Sequence, residues 1–162
     1  MVAAPFIDPS TLNIENPVMT REELQEYLPQ RHEFAQLDAV LLLDREREII
    51  VAYKDLVEDE WWARGHIPGR PLLPGVMMIE AAAQTGAILF KLLSDTARES
   101  FIGFGGLDNA RFRGVVEPPA RIFYMAAKGQ FRSRVATMPA QAVVDGRIVF
   151  EGKVLGAVLQ GF

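Results

Sequence analysis

The sequence contains no cysteine and only two histidines, His32 and His66, among its 162 residues. Disulfide bonds and cysteine-ligated zinc sites are therefore excluded, and neither an HExxH motif nor a histidine-rich metal cluster can be assembled. The composition thus gives little support to a reaction that depends on a bound metal ion.

Two further absences concern the location of the protein. No run of uncharged apolar residues reaches the roughly 18 that a membrane span needs. The first ten residues, MVAAPFIDPS, lack the basic segment and the long apolar core of a secretory signal. We therefore expect a protein of the cytoplasm that has no membrane span.

The formal charge of −4 hides an uneven distribution. Residues 1–60 hold 5 basic and 14 acidic side chains, whereas residues 61–162 hold 12 and 7. Within residues 111–134, six basic side chains are accompanied by a single acidic one, Glu117. This group fits either a solvated strand surface or a site for an acidic partner. These six are Arg111, Arg113, Arg121, Lys128, Arg132 and Arg134.

The order of the chain indicates one domain. No repeat, low-complexity tract or polar linker divides it, so we expect an N-terminal arm over residues 1–19 and a single domain over residues 20–162. Thr20 followed by Arg-Glu-Glu-Leu predicts an N-cap and a short helix that ends near Leu28, before Pro29.

One long apolar segment, from Val76 to about Leu93, predicts a helix that is apolar on every face and hence buried. Strand patterns lie on both sides of it, with turns at residues 44–47 and at Asp145-Gly146. These patterns predict an α+β protein in which an antiparallel sheet of about five to six strands curls around one long central helix. The strand segments are 39–43, 49–56, 101–104, 110–113, 121–127, 131–137, 141–144 and 147–158.

Polar residues in and before this helix are candidates for chemistry. Glu80 is its only acid, and Gln84 lies one turn further on the same face. A carboxylate on a buried helix must be paired, hydrogen-bonded or protonated, and a protonated one can act as a general acid. His66 precedes the helix in a loop rich in glycine and proline, and histidine is suited to accept a proton near neutral pH.

The start of the helix is a third element. Pro74-Gly75 precedes it, so unpaired main-chain N–H groups at the helix N-terminus can polarise a carbonyl oxygen. A base, an acid and an oxyanion donor together suit proton abstraction beside a carbonyl followed by loss of a β-leaving group. From these residues alone, a structural histidine in the loop and a hydrogen-bonded structural glutamate remain open alternatives.

The segment that carries these residues resembles the signature of a known family. Residues 65–84, GHIPGRPLLPGVMMIEAAAQ, closely resemble that of the bacterial FabZ-type (3R)-hydroxyacyl-[acyl-carrier-protein] dehydratases, which have the hotdog fold. Leu28-Pro-Gln-Arg31, with Phe34 and Asp38, resembles the N-terminal segment of that family. Residues 106–113, GLDNARFR, resemble the strand that follows its helix, so the resemblance covers about 28–155.

This resemblance implies a hotdog fold, a hydro-lyase activity in fatty acid biosynthesis and no cofactor. His66 would remove the α-proton of a 3-hydroxyacyl thioester, Glu80 would protonate the departing hydroxyl, and the N–H of Gly75 would hold the thioester carbonyl. The product would be a trans-2-enoyl thioester. Further residues of the motif are expected to position the substrate, namely Gln84, Pro74, Val76 and Ile67.

The resemblance also implies partners. The substrate would arrive on acyl-carrier protein, for which Arg111 and Arg113 are candidate contacts, and no nucleic acid is expected. Two protomers would pair their sheets, with His66 and Glu80 of one site coming from different chains and the acyl chain lying in an apolar tunnel between them. Such dimers would form a trimer of dimers.

Three departures from the family pattern are expected to affect the tunnel. Ile67 replaces the usual Phe after the histidine, Glu33 and Ala35-Gln36 replace a more apolar stretch, and Glu117-Pro-Pro-Ala120 replaces a Pro-Gly-Asp turn. Two other functions remain open: a hotdog acyl thioesterase, and a non-catalytic module that binds acyl chains or carrier protein.

Overall fold

A computed structural model describes residues 4–159 of the chain. It contains one antiparallel sheet in the order β1-β2-β4-β5-β6-β3, wrapped around a long helix, which confirms the predicted α+β architecture. The strands are β1 Ala39–Asp44, β2 Ile49–Leu56, β3 Phe101–Phe112, β4 Ala120–Ala127, β5 Val135–Val144 and β6 Arg147–Leu159. The α-helices are α1 Arg21–Tyr27, α2 Ala63–His66, α3 Gly75–Leu93 and α4 Asp95–Arg98, and 3-10 turns lie at Pro9–Thr11 and His32–Phe34.

Helix α1 begins as its sequence predicts. The Thr20 side chain accepts a hydrogen bond from the N–H of Glu23, and the Glu23 carboxylate accepts one from the N–H of Thr20, which forms a capping box. Leu24 is the buried residue of this helix. The capping box and the burial of Leu24 therefore hold α1 in place before the first strand of the sheet.

Both predicted hairpins are present. β1 and β2 pair through the turn at residues 45–48, and β5 and β6 pair through Asp145-Gly146. Asp145 and Gly146 both have positive φ angles, 48° and 71°, as a two-residue hairpin turn of type I′ requires. Glycine takes this conformation without strain, which explains why the dipeptide predicts the turn.

Two strand predictions differ from the structure. The segments 101–104 and 110–113 are the two ends of a single strand, β3, whose pairing with β6 is interrupted by irregularities after Phe104 and after Asp108. The first irregularity lies at Gly105 and the second at Asn109 and Ala110, and such bulges look like a break in the sequence pattern although the strand continues. The segments 131–137 and 141–144 also belong to one strand, β5, which begins only at Val135 and continues through the expected break to Val144. Phe131 contributes an isolated bridge to Ala136.

Helix α3 lies on one face of the sheet and packs against β2, β4, β5 and β6. Its centre is completely buried, with Ile88, Leu89 and Phe90 in contact with the main core cluster. The helix is not buried on every side as predicted, since Val76 is exposed and Glu80 and Lys91 are half-buried. By length and composition α3 is the one helix among residues 4–159 that could cross a membrane, but the sheet covers it as the core helix of the fold.

The N-terminal arm covers part of the opposite face of the sheet. Ile7 is buried in a second apolar cluster with Ile49, Val51, Met125 and Val143. The N–H of Phe6 donates to Gln141 Oε1, and the Gln141 amide donates to the main-chain oxygen of Ala4. The predicted division at residues 1–19 and 20–162 stays a prediction.

Candidate active site

His66 is the last residue of α2 and is exposed to solvent. The sequence predicts a loop at this position, but the structure has one helical turn there, because the N–H of His66 donates to the carbonyl of Trp62. The ring nitrogen Nδ1 lies 2.9 Å from the main-chain oxygen of Leu72. A carbonyl oxygen can only accept, so Nδ1 carries the proton of the neutral ring and Nε2 has a free lone pair.

The chain between His66 and α3 is anchored to the segment that precedes β4. The N–H of Leu73 donates to the carbonyl of Val116 at 2.9 Å. Next to it, Nε and Nη2 of Arg70 donate to Oε1 of Glu117 at 3.1 and 2.9 Å. Glu117, one of the departures from the family pattern, thus helps to hold the segment that carries Leu72.

Glu80 lies on the second turn of α3 and is half-buried. Its Oε1 accepts hydrogen bonds from Nε2 of Gln84 at 2.8 Å and from Nε2 of Gln30 at 3.3 Å. Among residues 4–159, no donor is bonded to Oε2. The acid is therefore oriented through one oxygen while the other remains available for proton transfer.

Gln84 is 1% exposed, donates the shorter of the two hydrogen bonds to Glu80 and links the acid to the segment at residues 34–36. Besides Glu80, its Nε2 donates to the main-chain oxygen of Phe34 at 2.6 Å, and its Oε1 accepts from the N–H of Gln36 at 3.1 Å. The sequence predicts that Glu80 and Gln84 share one face of the helix, and in the structure their side chains are hydrogen-bonded to each other.

Gln30 was not predicted as a site residue. It lies 50 positions before Glu80, so neither spacing nor helical periodicity connects the two. The only available signal was its place in the Leu28-Pro-Gln-Arg31 segment. Arg31 stabilises that segment by donating to three main-chain oxygens, those of Leu28, Gln30 and Gln25.

The N-terminus of α3 has unpaired donors. Pro74 is the N-cap, is buried and provides no side-chain cap, and within the described part of the chain no acceptor is bonded to the N–H of Gly75 or Val76. The ring of Phe112 lies against Gly75, where a Cβ would be only 2.8 Å from Cε1 of the phenylalanine. A Cβ at residue 75 would force the exposed Phe112 ring or the start of α3 to shift, so glycine serves close approach here rather than backbone conformation.

A narrow cleft runs along α3 from Glu80 towards the other end of the helix; we name it the α3 cleft. Its helix wall consists of residues three or four positions apart, and the rest of its lining comes from residues 27–30 and from β3, β5 and β6. The cavity volume is about 50 Å³, and the space along the cleft reaches about 490 Å³ when the open solvent at its mouth is included. The helix wall comprises Glu80, Ala83, Gln84, Ala87 and Lys91.

The candidate base is separate from this cleft. No hydrogen bond or salt bridge joins His66 to Glu80, and His66 does not line the α3 cleft. Ile67 and Val76, two of the expected positioning residues, are exposed and do not line it either. Within one chain the structure therefore presents an acid with an apolar cleft, and a base beside the start of α3.

The basic side chains after α3 differ in their environments. Arg113 forms a salt bridge with Glu151, and Lys128 forms one with Glu48. Arg121 donates two hydrogen bonds to the Asp55 carboxylate, and these bonds raise the pKa of Arg121. Arg111, Arg132 and Arg134 have no salt-bridge partner in the described part of the chain and are exposed. Of the two predicted carrier-protein contacts, Arg111 is the one whose charge is not paired.

No group of three or more His, Asp or Glu side chains among residues 4–159 is arranged to hold a metal ion. The expectation that the protein needs no cofactor stays a prediction.

The chain is similar to one protein-family model and to several known proteins. The family model described as "FabA-like domain" matches residues 28–153. A 3-hydroxyacyl-[acyl-carrier-protein] dehydratase FabZ of Syntrophobacter fumaroxidans is 38% identical over 133 residues, which are 82% of this chain and 88% of that protein. The FabZ dehydratase of Campylobacter jejuni strain 81-176 is 32% identical over 140 residues, 85% of this chain and 95% of that protein.

The same region also matches part of a longer protein, a bifunctional LpxC/FabZ enzyme of Chlorobaculum tepidum. The two are 35% identical over 137 residues, and the chain spans 29% of that enzyme. Among solved structures, the dehydratase heterocomplex ApeI:P of Xenorhabdus doucetiae superposes with a TM-score of 0.71 at 13% identity, covering 85% of this chain and 91% of that one. At this identity the likeness supports the hotdog fold alone.

Proposed function

Because the chain belongs to the FabA-like family and is of the FabZ type, we propose that it dehydrates 3-hydroxyacyl thioesters on acyl-carrier protein with His66 as base and Glu80 as acid. The reaction is that of a hydro-lyase in fatty acid biosynthesis. The single observation that carries the assignment of the acid is the position of Glu80, fixed by two amides at the mouth of an apolar cleft.

The chemistry follows from the atoms that remain free. Nε2 of His66 removes a proton from C2 of the substrate, and the electron pair forms the C2–C3 double bond as the C3–O bond breaks. Oε2 of Glu80 delivers a proton to the departing hydroxyl, which leaves as water. The product is a trans-2-enoyl thioester. His66 then returns its proton to solvent and Glu80 regains one, so neither residue is consumed.

The thioester carbonyl lies, in this proposal, at the N-terminus of α3. The N–H of Gly75 donates to the carbonyl oxygen, whose negative charge grows as the C2 proton leaves. The helix dipole favours that charge at the same place. Pro74, Val76 and Ile67 surround this end of the substrate, and Gln84 acts by holding Glu80.

A second copy of the chain completes the site. His66 and Glu80 are not in contact within one protomer, and β3 is one of the two outer strands of the sheet, with Phe104 exposed. A 12-residue outer strand with an exposed aromatic side chain is suited to pair with another chain. We propose a homodimer in which the sheets join and each site takes His66 from one chain and Glu80 from the other, with three such dimers in a hexamer.

Acyl-carrier protein is the partner that delivers the substrate. The unpaired guanidinium of Arg111 offers a contact for an acidic protein or for the phosphate of its prosthetic group. Arg113, already bound to Glu151, contributes by placing a second positive charge nearby. We also propose that the protein acts in the cytoplasm, as the sequence predicts.

The proposal is tested by turnover of a 3-hydroxyacyl thioester and by the reverse hydration of a trans-2-enoyl thioester. His66→Ala and Glu80→Gln should each lower kcat by at least ~10²-fold while circular dichroism stays that of the wild type. A near-normal rate in His66→Ala would contradict the assigned base. Release of free thiol without dehydration would indicate a thioesterase, and carrier binding without any turnover would indicate a binding module.

A further inference from the structure

Two charged side chains line the α3 cleft, and they lie at opposite ends. Glu80 is at one end, and Lys91 is eleven positions further along the same face of the helix. At 1.5 Å per residue the two are about 16 Å apart along the helix axis. The cleft therefore begins at the candidate acid and ends at a cation.

The space between these ends is apolar and is left open by small side chains. Between Glu80 and Lys91, the small helix residues that face the cleft are Ala83 and Ala87, and Met138 and Val154 contribute to the facing wall. A wall of this composition favours a hydrocarbon chain over a polar ligand. Roughly a dozen carbon atoms of an extended chain would cover the distance to Lys91.

Lys91 itself is half-buried and has no salt bridge or side-chain hydrogen bond in the described part of the chain. Burial lowers the pKa of this lysine, and the nearby carboxylate of Glu99 opposes that effect in part. Beyond the cleft, Lys91 borders a polar hollow open to solvent, together with Glu26, Arg45, Arg98 and Glu99. The aliphatic stem thus closes the cleft while the ammonium can keep its water on the far side.

We propose that Lys91 sets the upper length of the acyl chain that the enzyme accepts. This inference rests on the proposed function, because it takes the 3-hydroxyl to lie at Glu80 and the remaining chain to follow the α3 cleft. A chain that ends before Lys91 buries each methylene group in apolar surroundings. A longer chain must displace water from a partly desolvated ammonium that has no counter-ion in contact, and this costs binding free energy.

The test compares kcat/KM for 3-hydroxybutyryl, 3-hydroxyoctanoyl and 3-hydroxyhexadecanoyl thioesters of acyl-carrier protein. A hexadecanoyl chain has thirteen carbons beyond C3, about one more than the cleft holds before Lys91, so in the wild type we expect it to be a poorer substrate than the octanoyl chain. Lys91→Met shortens the side chain by one atom and removes its charge, so the ratio of hexadecanoyl to octanoyl kcat/KM should rise at least tenfold. Lys153→Met is the matched control, because Lys153 is exposed on β6 and does not line the cleft; its ratio should equal that of the wild type.

A second variant tests the path of the chain independently of the charge. Ala87→Phe fills the middle of the cleft, so it should lower the ratio of octanoyl to butyryl kcat/KM at least tenfold. An unchanged chain-length profile in both Lys91→Met and Ala87→Phe, with soluble and folded protein, would overturn the inference although the enzyme remained a dehydratase. Absence of turnover by the wild type on all three substrates would instead contradict the proposed function.

Discussion

Nδ1 of His66 and the main-chain oxygen of Leu72 are 2.9 Å apart, and this contact determines which ring nitrogen can act as a base. Because Leu72 lies in the segment tied to Val116 and Glu117, the orientation of the imidazole depends on residues far away in the sequence. Hydrogen bonds of this type fix the tautomer and the ring direction of functional histidines.

We predict that His66→Asn separates the structural role of His66, the hydrogen bond to Leu72, from its role as a base. The asparagine amide can donate to Leu72 in place of Nδ1, but it offers no basic nitrogen. The rate should fall at least ~10²-fold, while the free energy of unfolding in urea changes by less than about 1 kcal/mol. Substantial activity in this variant would show that His66 only orients the loop.

A second prediction concerns the proposed sharing of each site between two chains. His66→Ala and Glu80→Gln, each inactive alone, are unfolded together and refolded as a mixture. A mixed dimer then has one site with both defects and one site with none, so a random mixture should recover about a quarter of the wild-type activity.

The same mixture gives no activity if both residues of a site come from one chain, because every site then carries one defect. Refolding each variant separately before mixing provides the control for exchange. Analytical ultracentrifugation of the mixture establishes that dimers have formed, so an inactive mixture of dimers would contradict the shared arrangement.

The contact between Gly75 and Phe112 gives a third prediction. Gly75→Ala introduces a Cβ that would lie 2.8 Å from the phenylalanine ring, so either the ring or the start of α3 must move. We expect kcat/KM to fall about tenfold because the N–H of residue 75 is displaced from the oxyanion. Removing the obstacle in Gly75→Ala/Phe112→Ala should restore the rate to that of Phe112→Ala alone.

A double-mutant cycle measures the coupling between residues 75 and 112, since the effects of substitutions at residues in contact do not simply add. If Gly75→Ala lowers kcat/KM equally with and without the Phe112 ring, avoiding a clash with that ring is not the reason for glycine at this position.

The sequence predicted the helix and the hairpins well because local interactions determine them. The capping box at Thr20 and the left-handed turn at Asp145-Gly146 are built from neighbouring residues. The contact of Glu80 with Gln84 is also local, one helical turn apart. The strand breaks expected near Gly105 were wrong, since pairing with β6 continues past the bulge there.

What the sequence could not predict depends on contacts between distant segments. Gln30 reaches Glu80 across 50 positions, and no periodicity links them. The carbonyl of Leu72 meets His66 only because the loop folds back, and Lys91 closes the cleft only because β3 lies opposite. Motif spacing identifies residue types, whereas their partners follow from tertiary packing.

The arm supplies a fourth prediction. Ile7 is buried against the outer face of the sheet with Val51 and Met125, so Ile7→Asp places a charge in an apolar cluster. We expect a loss of about 2–4 kcal/mol in the free energy of unfolding and increased binding of a hydrophobic dye. Val18→Asp is the matched control because Val18 is half-exposed, and its stability should stay within about 0.5 kcal/mol of the wild type. Equal effects of the two changes would contradict the role of the arm as a cover.

The last prediction concerns Gln84, whose amide holds three partners in place. Gln84→Leu leaves the main-chain oxygen of Phe34 and the N–H of Gln36 without their hydrogen bonds, and Glu80 keeps Gln30 as its only donor. Stability should fall by about 1–3 kcal/mol, because the N–H of the buried Gln36 is left unpaired, whereas the oxygen of the exposed Phe34 can accept from water.

The rate of Gln84→Leu should fall as well, and for a reason separate from stability. Oε1 of Glu80 loses its shorter hydrogen bond, so the carboxyl group can rotate and Oε2 is no longer directed at the leaving hydroxyl. We expect kcat to fall at least tenfold under conditions where the variant is fully folded, with a smaller change in KM. Gln25→Leu makes the same substitution on the exposed side of α1 and serves as the control. A destabilised Gln84→Leu enzyme with normal kcat would show that Gln84 holds the fold without orienting the acid.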